Sequence, residues 1–239
     1  SPKDKLADSD IKPIVLFDYH NSRASRCAIE YLKGYQGYLQ VDGYAGYHHT
    51  QATLVGCWAH ARRKFHEAKI AQGKKGSGKA DMALSTIQKL YRIETQIKTL
   101  PITTRHQQRQ DKAMPVINTF KDWLIKSEQQ VLPKTKLGEA ILYTLNQWDK
   151  LTAYTQDGHL NIDNNRAERC IKPFVIGRKN WLFSQTARGA HASAVLYSII
   201  ETAKANDLVP FDYLMHVLDT ISHADVDVDA LLPWKVQLT

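Results

Sequence analysis

Glu168 is the residue whose surroundings first suggest chemistry. It lies between Arg166 and Arg169 in the stretch LNIDNNRAERC, residues 160–170. A carboxylate is a good ligand for a hard cation such as Mg²⁺, and arginines bind phosphate groups. Exposed ion pairs on a helix, with Lys172 one turn further on, explain the same residues equally well. The residue types alone therefore leave a metal site and a solvated helix face as open alternatives.

Asp42 is a second candidate carboxylate, because it follows the predicted strand 38–41 and precedes Gly43. α/β sheets place ligand-binding residues at the carboxyl ends of their strands. An Asp-Gly pair is also a common turn, and this simpler role is preferred when the two residues are considered alone. Asp163, ahead of a predicted helix, is expected to cap that helix with its carboxylate.

Cys57 and His60 have the spacing of half a zinc site in the stretch CWAH. No second pair with matching spacing follows, so structural zinc is not expected. Taken by themselves, Cys57 is predicted to pack in the core and His60 to begin a basic helix face. The three cysteines are scattered and odd in number, which indicates a reducing compartment.

The stretch GKKGSGKA, residues 73–80, resembles a phosphate-binding loop but lacks two of its requirements. Ala80 replaces the Ser or Thr hydroxyl that would bind Mg²⁺. The preceding residues also have a helical pattern, whereas such a loop directly follows a strand. We therefore predict a flexible basic linker and no ATP binding.

The charge distribution favours a polyanionic partner. Lys and Arg number 32 against 24 Asp and Glu, which gives a net charge of +8. Residues 60–79 hold seven Lys and Arg and one acid, whereas residues 205–234 hold six Asp and neither Lys nor Arg. The sequence GRKNWLF adds Arg178, Lys179 and Trp181, a mixture that suits DNA phosphates and unstacked bases, although a Trp in an apolar run usually packs inward. No signal peptide, lipidation motif or membrane-length apolar run is present.

The chain is expected to contain an α/β core with an all-helical insertion. Strands are predicted at 14–17, 38–41 and 54–55, with helices between and after them. The resulting domains are a first core part at 1–72, the helical insertion at 73–150, closing core helices at 151–221 and a tail at 222–239. Pro173 is expected to end the short helix that carries Glu168.

Four stretches together resemble the bacterial transposases of the insertion sequence 66 family: YLQVDGYAGYHH, LVGCWAHARRKFHEA, IDNNRAERCIKPFVIGRKNWLF and SIIETAKANDLVPFDYLMHVL. The resemblance extends from IVLFDYH to the LLPW tail. It implies an RNase H-like catalytic domain of the DDE class, with a mixed sheet, flanking helices and a helical insertion before the last carboxylate. It also implies a bacterial cytoplasmic protein without a membrane segment.

The family resemblance implies that Asp42 and Glu168 are the second and third catalytic carboxylates. Three such acids hold two Mg²⁺ or Mn²⁺ ions about 4 Å apart. The block that carries the first aspartate is absent here, so the chain is expected to lack the N-terminal part of the domain and to be inactive alone. Asp18 is a disfavoured substitute, because its strand is expected at the sheet edge. The resemblance also implies that His60 supports the catalytic site or contacts DNA, and that Cys57 supports His60 structurally.

The function implied is metal-dependent hydrolysis at transposon ends followed by strand transfer into target DNA, by a protein that forms a homo-oligomer on DNA. The alternative is a DNA-binding or assembly module without catalysis in this form. A sheet that lacks its first strand would also present an unpaired edge, which favours dimerisation. The predicted DNA contacts are Arg62, Arg63, Lys64, Arg166, Arg169, Arg178, Lys179 and Trp181.

Overall fold

The computed structural model describes residues 12–73, 78–181, 184–223, 225–236 and 238, and the side chains of residues 178–181 lie outside this description. The chain forms two compact units. The first comprises Ala24–Arg166, and the second comprises residues 12–23 and the described residues from 167 onward. Ten α-helices and two strands are described in these ranges.

The first unit contains a small parallel sheet of two strands, β1 (Tyr38–Gln40) and β2 (Thr53–Val55). Leu39 lies opposite Leu54, and the N–H of Val41 extends the pairing to the carbonyl of Val55 at 2.8 Å. The described residues thus confirm the α/β class only in this small sheet, within a mostly helical chain. The larger RNase H-like mixed sheet is not shown.

The other regular elements described in the first unit are helices. The helix that follows β2 buries Trp58, Ala61 and Phe65, which are spaced three or four residues apart and so share one face. Trp58 packs against Phe120 and Trp148, each with its ring centroid 6.2 Å away. The helices are α1 (Ser25–Tyr31), α2 (Trp58–Gln72), α3 (Lys79–Ile97), α4 (Ile102–Gln108), α5 (Met114–Glu128), α6 (Lys136–Asn146) and α7 (Trp148–Thr152), with 3₁₀ helices at Ala45–His49 and Ala153–Gln156 and a π-helical turn at Arg109–Ala113 between α4 and α5.

The second unit consists of an extended segment and three helices, α8 (Asn165–Trp181), α9 (Ala187–Ala205) and α10 (Pro210–Ile221); the first two residues of α8 belong to the first unit. The rings of Phe17, Phe174 and Tyr197 join the extended segment to α8 and α9, with centroids 4.9–6.3 Å apart. The tail contributes a 3₁₀ helix at Val228–Leu231, which places the Leu231 carbonyl 2.7 Å from the hydroxyl of Tyr213.

The prediction of a buried strand at residues 14–17 is wrong. The segment is extended, but its backbone bonds to side-chain hydroxyls of α9 rather than to another strand. The N–H groups of Val15 and Phe17 donate to Thr202 Oγ1 and Ser198 Oγ, at 3.0 and 2.8 Å. The alternate residues Ile14 and Leu16 are exposed. An apolar run predicts an extended conformation here, but it does not identify the partner that satisfies the backbone.

The prediction that Pro173 ends the helix carrying Glu168 is also wrong, because α8 continues from Asn165 to Trp181 with Pro173 inside it. Proline removes one N–H and its bond to the carbonyl four residues earlier, but its fixed φ is compatible with a helix. The helix continues on both sides of Pro173, so the missing bond does not end it here.

Candidate functional site

The carboxyl ends of β1 and β2 meet the segment that leads into α8. Gln40, the last residue of β1, donates from its side-chain amide to the carbonyl of Asn161 at 2.9 Å. The same amide approaches the carbonyl of Gly56, just after β2, at 3.3 Å. The Gln40 side chain therefore joins the segment before α8 to the ends of both strands, although Gln40 and Asn161 are far apart in the sequence.

The N-terminus of α2 holds the same segment from the other side. The N–H of Trp58 donates to the carbonyl of Ile162 at 3.1 Å, and the N–H of Asn164 approaches Cys57 Sγ at 3.5 Å. Cys57 is buried, and this burial is the main cause that raises the pKa of its thiol. His60 is half-buried, and its N–H donates to the Cys57 carbonyl at 3.2 Å. Cys57 thus has the packing role predicted from the residues alone, and it anchors the loop before α8.

Asp42 forms a turn directly after β1. Its Oδ1 accepts the N–H of Tyr44 at 3.0 Å, and Gly43 adopts a φ of 95°, which favours glycine. The carboxylate is exposed to solvent. The turn predicted for this Asp-Gly pair is confirmed, and it fixes the direction of the carboxylate at the end of the strand.

Asp163 supports the start of α8 from just outside the helix. Its Oδ1 accepts the N–H of Asn165, the first helical residue, at 3.2 Å. Its Oδ2 accepts the Tyr91 hydroxyl at 2.9 Å and the side-chain amide of Asn165 at 2.8 Å. Burial, and then the charge of Asp163, raise the pKa of Tyr91 far above its ordinary value. Asp163 therefore binds the first N–H of the helix, as a capping residue would, and also joins the helix start to α3.

Glu168 is the fourth residue of α8 and is exposed, as is Arg169, whereas Arg166 is half-buried. Asp42 belongs to the first unit and Glu168 to the second, and their sharing of a cation stays a prediction. Their oxygens suit Mg²⁺ or Mn²⁺ in kind. Within the described part of the chain, however, no three His, Cys, Asp or Glu side chains are grouped as metal ligands. The donor set thus fits in chemistry but not in number for two ions.

Asp18, the disfavoured substitute for a first carboxylate, lies in the extended segment of the second unit. Its Oδ1 accepts the N–H of Tyr19 at 2.8 Å, and its Oδ2 lies 3.0 Å from Nε2 of His20. Both oxygens are thus engaged by the next two residues of the chain, and the expectation that Asp18 does not hold metal stays a prediction.

The basic residues of α2 face two directions. Arg62 and Arg63 are exposed, as a phosphate contact requires. Lys64 is half-buried, and its Nζ lies 4.9 Å from the centroid of the Tyr143 ring, a cation–π contact. The side chains of Arg178, Lys179 and Trp181 fall outside the described residues, so these predicted DNA contacts stay predictions.

Lys79, the last lysine of the stretch GKKGSGKA, makes contacts within the first unit. Lys79 Nζ donates to Gln130 Oε1 at 2.7 Å, and it lies 5.9 Å from the centroid of the Trp123 ring. These contacts give the lysine a role in joining α3 to α5. Residues 74–77 of the linker lie outside the described residues.

Two groups of residues near the site were missed from the sequence. Arg109 is fully buried and donates to both carboxylate oxygens of Glu94 and to the carbonyls of Tyr154, Asp157 and Leu160. It thereby fixes the loop that precedes Asn161. The apolar patterns of the segments that carry Glu94 and Arg109 do not indicate these contacts.

The second group consists of the tyrosines around Asp42. The sequence does signal this group, because the motif DGYAGYHH is rich in aromatic side chains.

Comparison with known proteins identifies the relatives of this chain. The family model described as Transposase IS66 family matches residues 4–192, and the model described as IS66 C-terminal element matches residues 198–234. No solved structure matches the chain. None of the helices within the described ranges has the length and apolar character needed to cross a membrane.

Three similar proteins come from Sinorhizobium fredii and are named as uncharacterized. The protein y4qI is 31% identical over 236 residues, which cover 93% of this chain and 43% of the relative. The proteins y4hP and y4jD are each 33% identical, with 93% of this chain and 44% and 46% of the relatives covered. The chain thus spans less than half the length of these relatives.

Proposed function

Because the chain belongs to the transposase IS66 family, we propose that it is a catalytic-core segment of a DNA transposase of the DDE class. The reaction proposed for the complete protein is hydrolysis at the transposon ends, followed by strand transfer into target DNA. The family match along nearly the whole chain is the observation that carries this proposal. The contacts of Gln40 and Trp58 with the segment before α8 support it, since they join the strand that precedes Asp42 to the residues just ahead of the helix that bears Glu168.

In this proposal Asp42 and Glu168 are the acids that hold Mg²⁺ or Mn²⁺. The turn at Gly43 fixes the direction of the Asp42 carboxylate, and Asp163 fixes the start of the helix on which Glu168 is the fourth residue. A bound divalent ion would activate the attacking hydroxyl and stabilise the leaving oxygen. With two carboxylates rather than three, the 239-residue chain is expected to bind the ion weakly and to cut DNA poorly.

Manganese binding tests the two acids without requiring activity. Free Mn²⁺ gives a six-line electron paramagnetic resonance signal, whose loss on titration with protein reports binding. We expect weak binding that Asp42→Asn and Glu168→Gln each abolish, because the two side chains share one ion. The matched control is Asp122→Asn on the exposed face of α5, which should bind as the unchanged protein does. Binding that survives either substitution would refute the shared site.

A DNA-binding or assembly module without catalysis is the second candidate. The exposed Arg62 and Arg63 favour it, since cations along one helix bind phosphates without any metal. Binding of a transposon-end duplex that weakens steeply with salt, with no Mn²⁺ bound and no metal-dependent cleavage, would select this function. Strong cleavage that Asp42→Asn abolishes would instead show that the chain holds a complete catalytic set.

The salt dependence itself identifies the residues that bind phosphate. The double variant Arg62→Ala, Arg63→Ala should lower the slope of log affinity against log salt by about 0.9 for each phosphate that the variant no longer neutralises. The control pair is Lys89→Ala and Lys126→Ala, which removes two exposed lysines from other helices. An equal decrease of the slope in the control would show general charge attraction rather than a site on α2.

A further inference from the structure

Tyrosines are concentrated around Asp42 in the first unit. Five of the 11 tyrosines of the chain lie between residues 31 and 47. Part of the side chain is open to solvent in three of them, since Tyr35, Tyr38 and Tyr44 are 44%, 37% and 42% exposed. An exposed ring next to a candidate catalytic acid, as Tyr44 is to Asp42, offers a flat apolar surface to a ligand that has flat faces of its own.

Contacts place Tyr44, Tyr47 and Tyr143 at the turn that carries Asp42. Tyr44 donates its N–H to that carboxylate, and its ring meets the ring of Tyr47 edge-on, with centroids 5.6 Å apart. Burial raises the pKa of Tyr47 and of Tyr143, and the charge of Asp42 raises both further. A Cβ on Gly43 would lie 3.0 Å from the Tyr143 hydroxyl. The turn after β1 therefore lies next to Tyr143 from another part of the first unit as well as to Tyr44 of its own segment.

Cations accompany these rings. Lys64 lies over the ring of Tyr143, and the charge of the exposed Arg63 lowers the pKa of that tyrosine. Lys150 Nζ lies 2.7 Å from Nε2 of His48, at the end of the 3₁₀ helix that follows Tyr44. All of these side chains belong to the first unit. Interleaved rings and cations are the two elements from which single-strand binding surfaces are made.

We propose that this surface binds unpaired nucleotides of a DNA strand beside Asp42, with the ring of Tyr44 stacking on a base and Lys64 and Arg63 contacting phosphates. The inference rests on the proposed function and adds the form of its substrate. Bases inside a duplex are stacked on each other, so only a melted or overhanging end presents a face to Tyr44. The site thus selects ends whose last nucleotides are unpaired.

Fluorescence anisotropy with three oligonucleotides tests this inference: a blunt duplex, the same duplex with three unpaired nucleotides, and that overhang made abasic. The unchanged chain should bind the base-bearing overhang about 5- to 150-fold more tightly than the abasic one. Tyr44→Ala should remove this preference, whereas Tyr44→Phe should retain it because the ring remains. Lys64→Ala should lower the salt slope by about 1 for all three ligands.

The control for general removal of an exposed ring is Phe211→Ala on α10, where the ring is 71% exposed; it should leave the preference for the overhang unchanged. Equal binding of base-bearing and abasic overhangs by the unchanged chain, with salt-dependent duplex binding intact, would overturn this inference and leave the proposed function standing. Failure to bind any of the three would overturn both. A Tyr44→Ala variant that keeps the preference but has a lower molecular mass in solution would assign the ring to a protein interface instead.

Discussion

Replacing Arg109 should destabilise the first unit more than any other single change to a charged residue in its described part. The guanidinium is fully buried, and it donates to both oxygens of Glu94 and to three backbone carbonyls, at distances of 2.6–2.9 Å. It also lies 5.2 Å from the centroid of the Tyr154 ring. Arg109→Met keeps much of the side-chain volume but removes every one of these donors.

The expected cost follows from what the substitution leaves behind. Glu94 would keep a largely buried negative charge without its partner, a change that costs about 3–5 kcal/mol. The three carbonyls would lose a charged donor as well, although these terms do not simply add. For a chain of this size the midpoint of thermal unfolding should fall by about 10 °C. The double variant Arg109→Met, Glu94→Leu should recover about 1 kcal/mol or more, because it removes the unpaired charge.

Urea unfolding of both variants measures these free energies. Lys136→Met is the matched control, since Lys136 forms an ion pair with Glu139 at 2.9 Å whose side chains are 56% and 48% exposed; it should not change the midpoint measurably. If Arg109→Met unfolds at the same urea concentration as this control, the argument that a buried guanidinium holds the loop ahead of Asn161 is refuted.

Three further predictions follow from single contacts. Cys57 should react with a maleimide far more slowly than Cys27 or Cys170 at neutral pH, because its thiol is buried and has a raised pKa; peptide mass spectrometry measures the rates, and equal rates in the folded protein would contradict its burial. Burial raises the pKa of Tyr91, so the folded protein holds the hydroxyl proton more tightly than the unfolded chain and loses stability as the pH rises above about 10. Urea unfolding at pH 8 and pH 11 should show that Tyr91→Phe loses less unfolding free energy than the unchanged chain. An identical loss would exclude this tyrosine as a cause. Thr202→Val should cost about 1–3 kcal/mol, because the N–H and carbonyl of Val15 each lose a partner at 3.0 Å; an unchanged free energy of unfolding would show that water replaces the hydroxyl.

The sequence predicts those elements whose own residues determine them. The helical pattern that precedes residue 73 corresponds to α2, whose buried residues Trp58, Ala61 and Phe65 share one face. The Asp42-Gly43 turn is likewise local, since the side chain of Asp42 and the φ of Gly43 both act within four residues. Such features require no knowledge of distant parts of the chain.

The features that could not be predicted depend on distant partners. The apolar residues 14–17 show only that the chain is extended, whereas the hydroxyls of Ser198 and Thr202 decide what its backbone bonds to. Pro173 marks a missing N–H, but whether a helix tolerates that absence depends on its packing. The pairing of Arg109 with Glu94 links two helices whose separate patterns do not specify each other.

A crystal of this chain soaked with Mn²⁺ tests the central claim most directly. Anomalous scattering locates the ion, and the same map locates the carboxylates of Asp42 and Glu168. We predict one manganese peak in direct contact with an oxygen of each residue. A map in which these two side chains lie on separate surfaces, with no ion between them, would contradict the proposal that they form part of a transposase catalytic site.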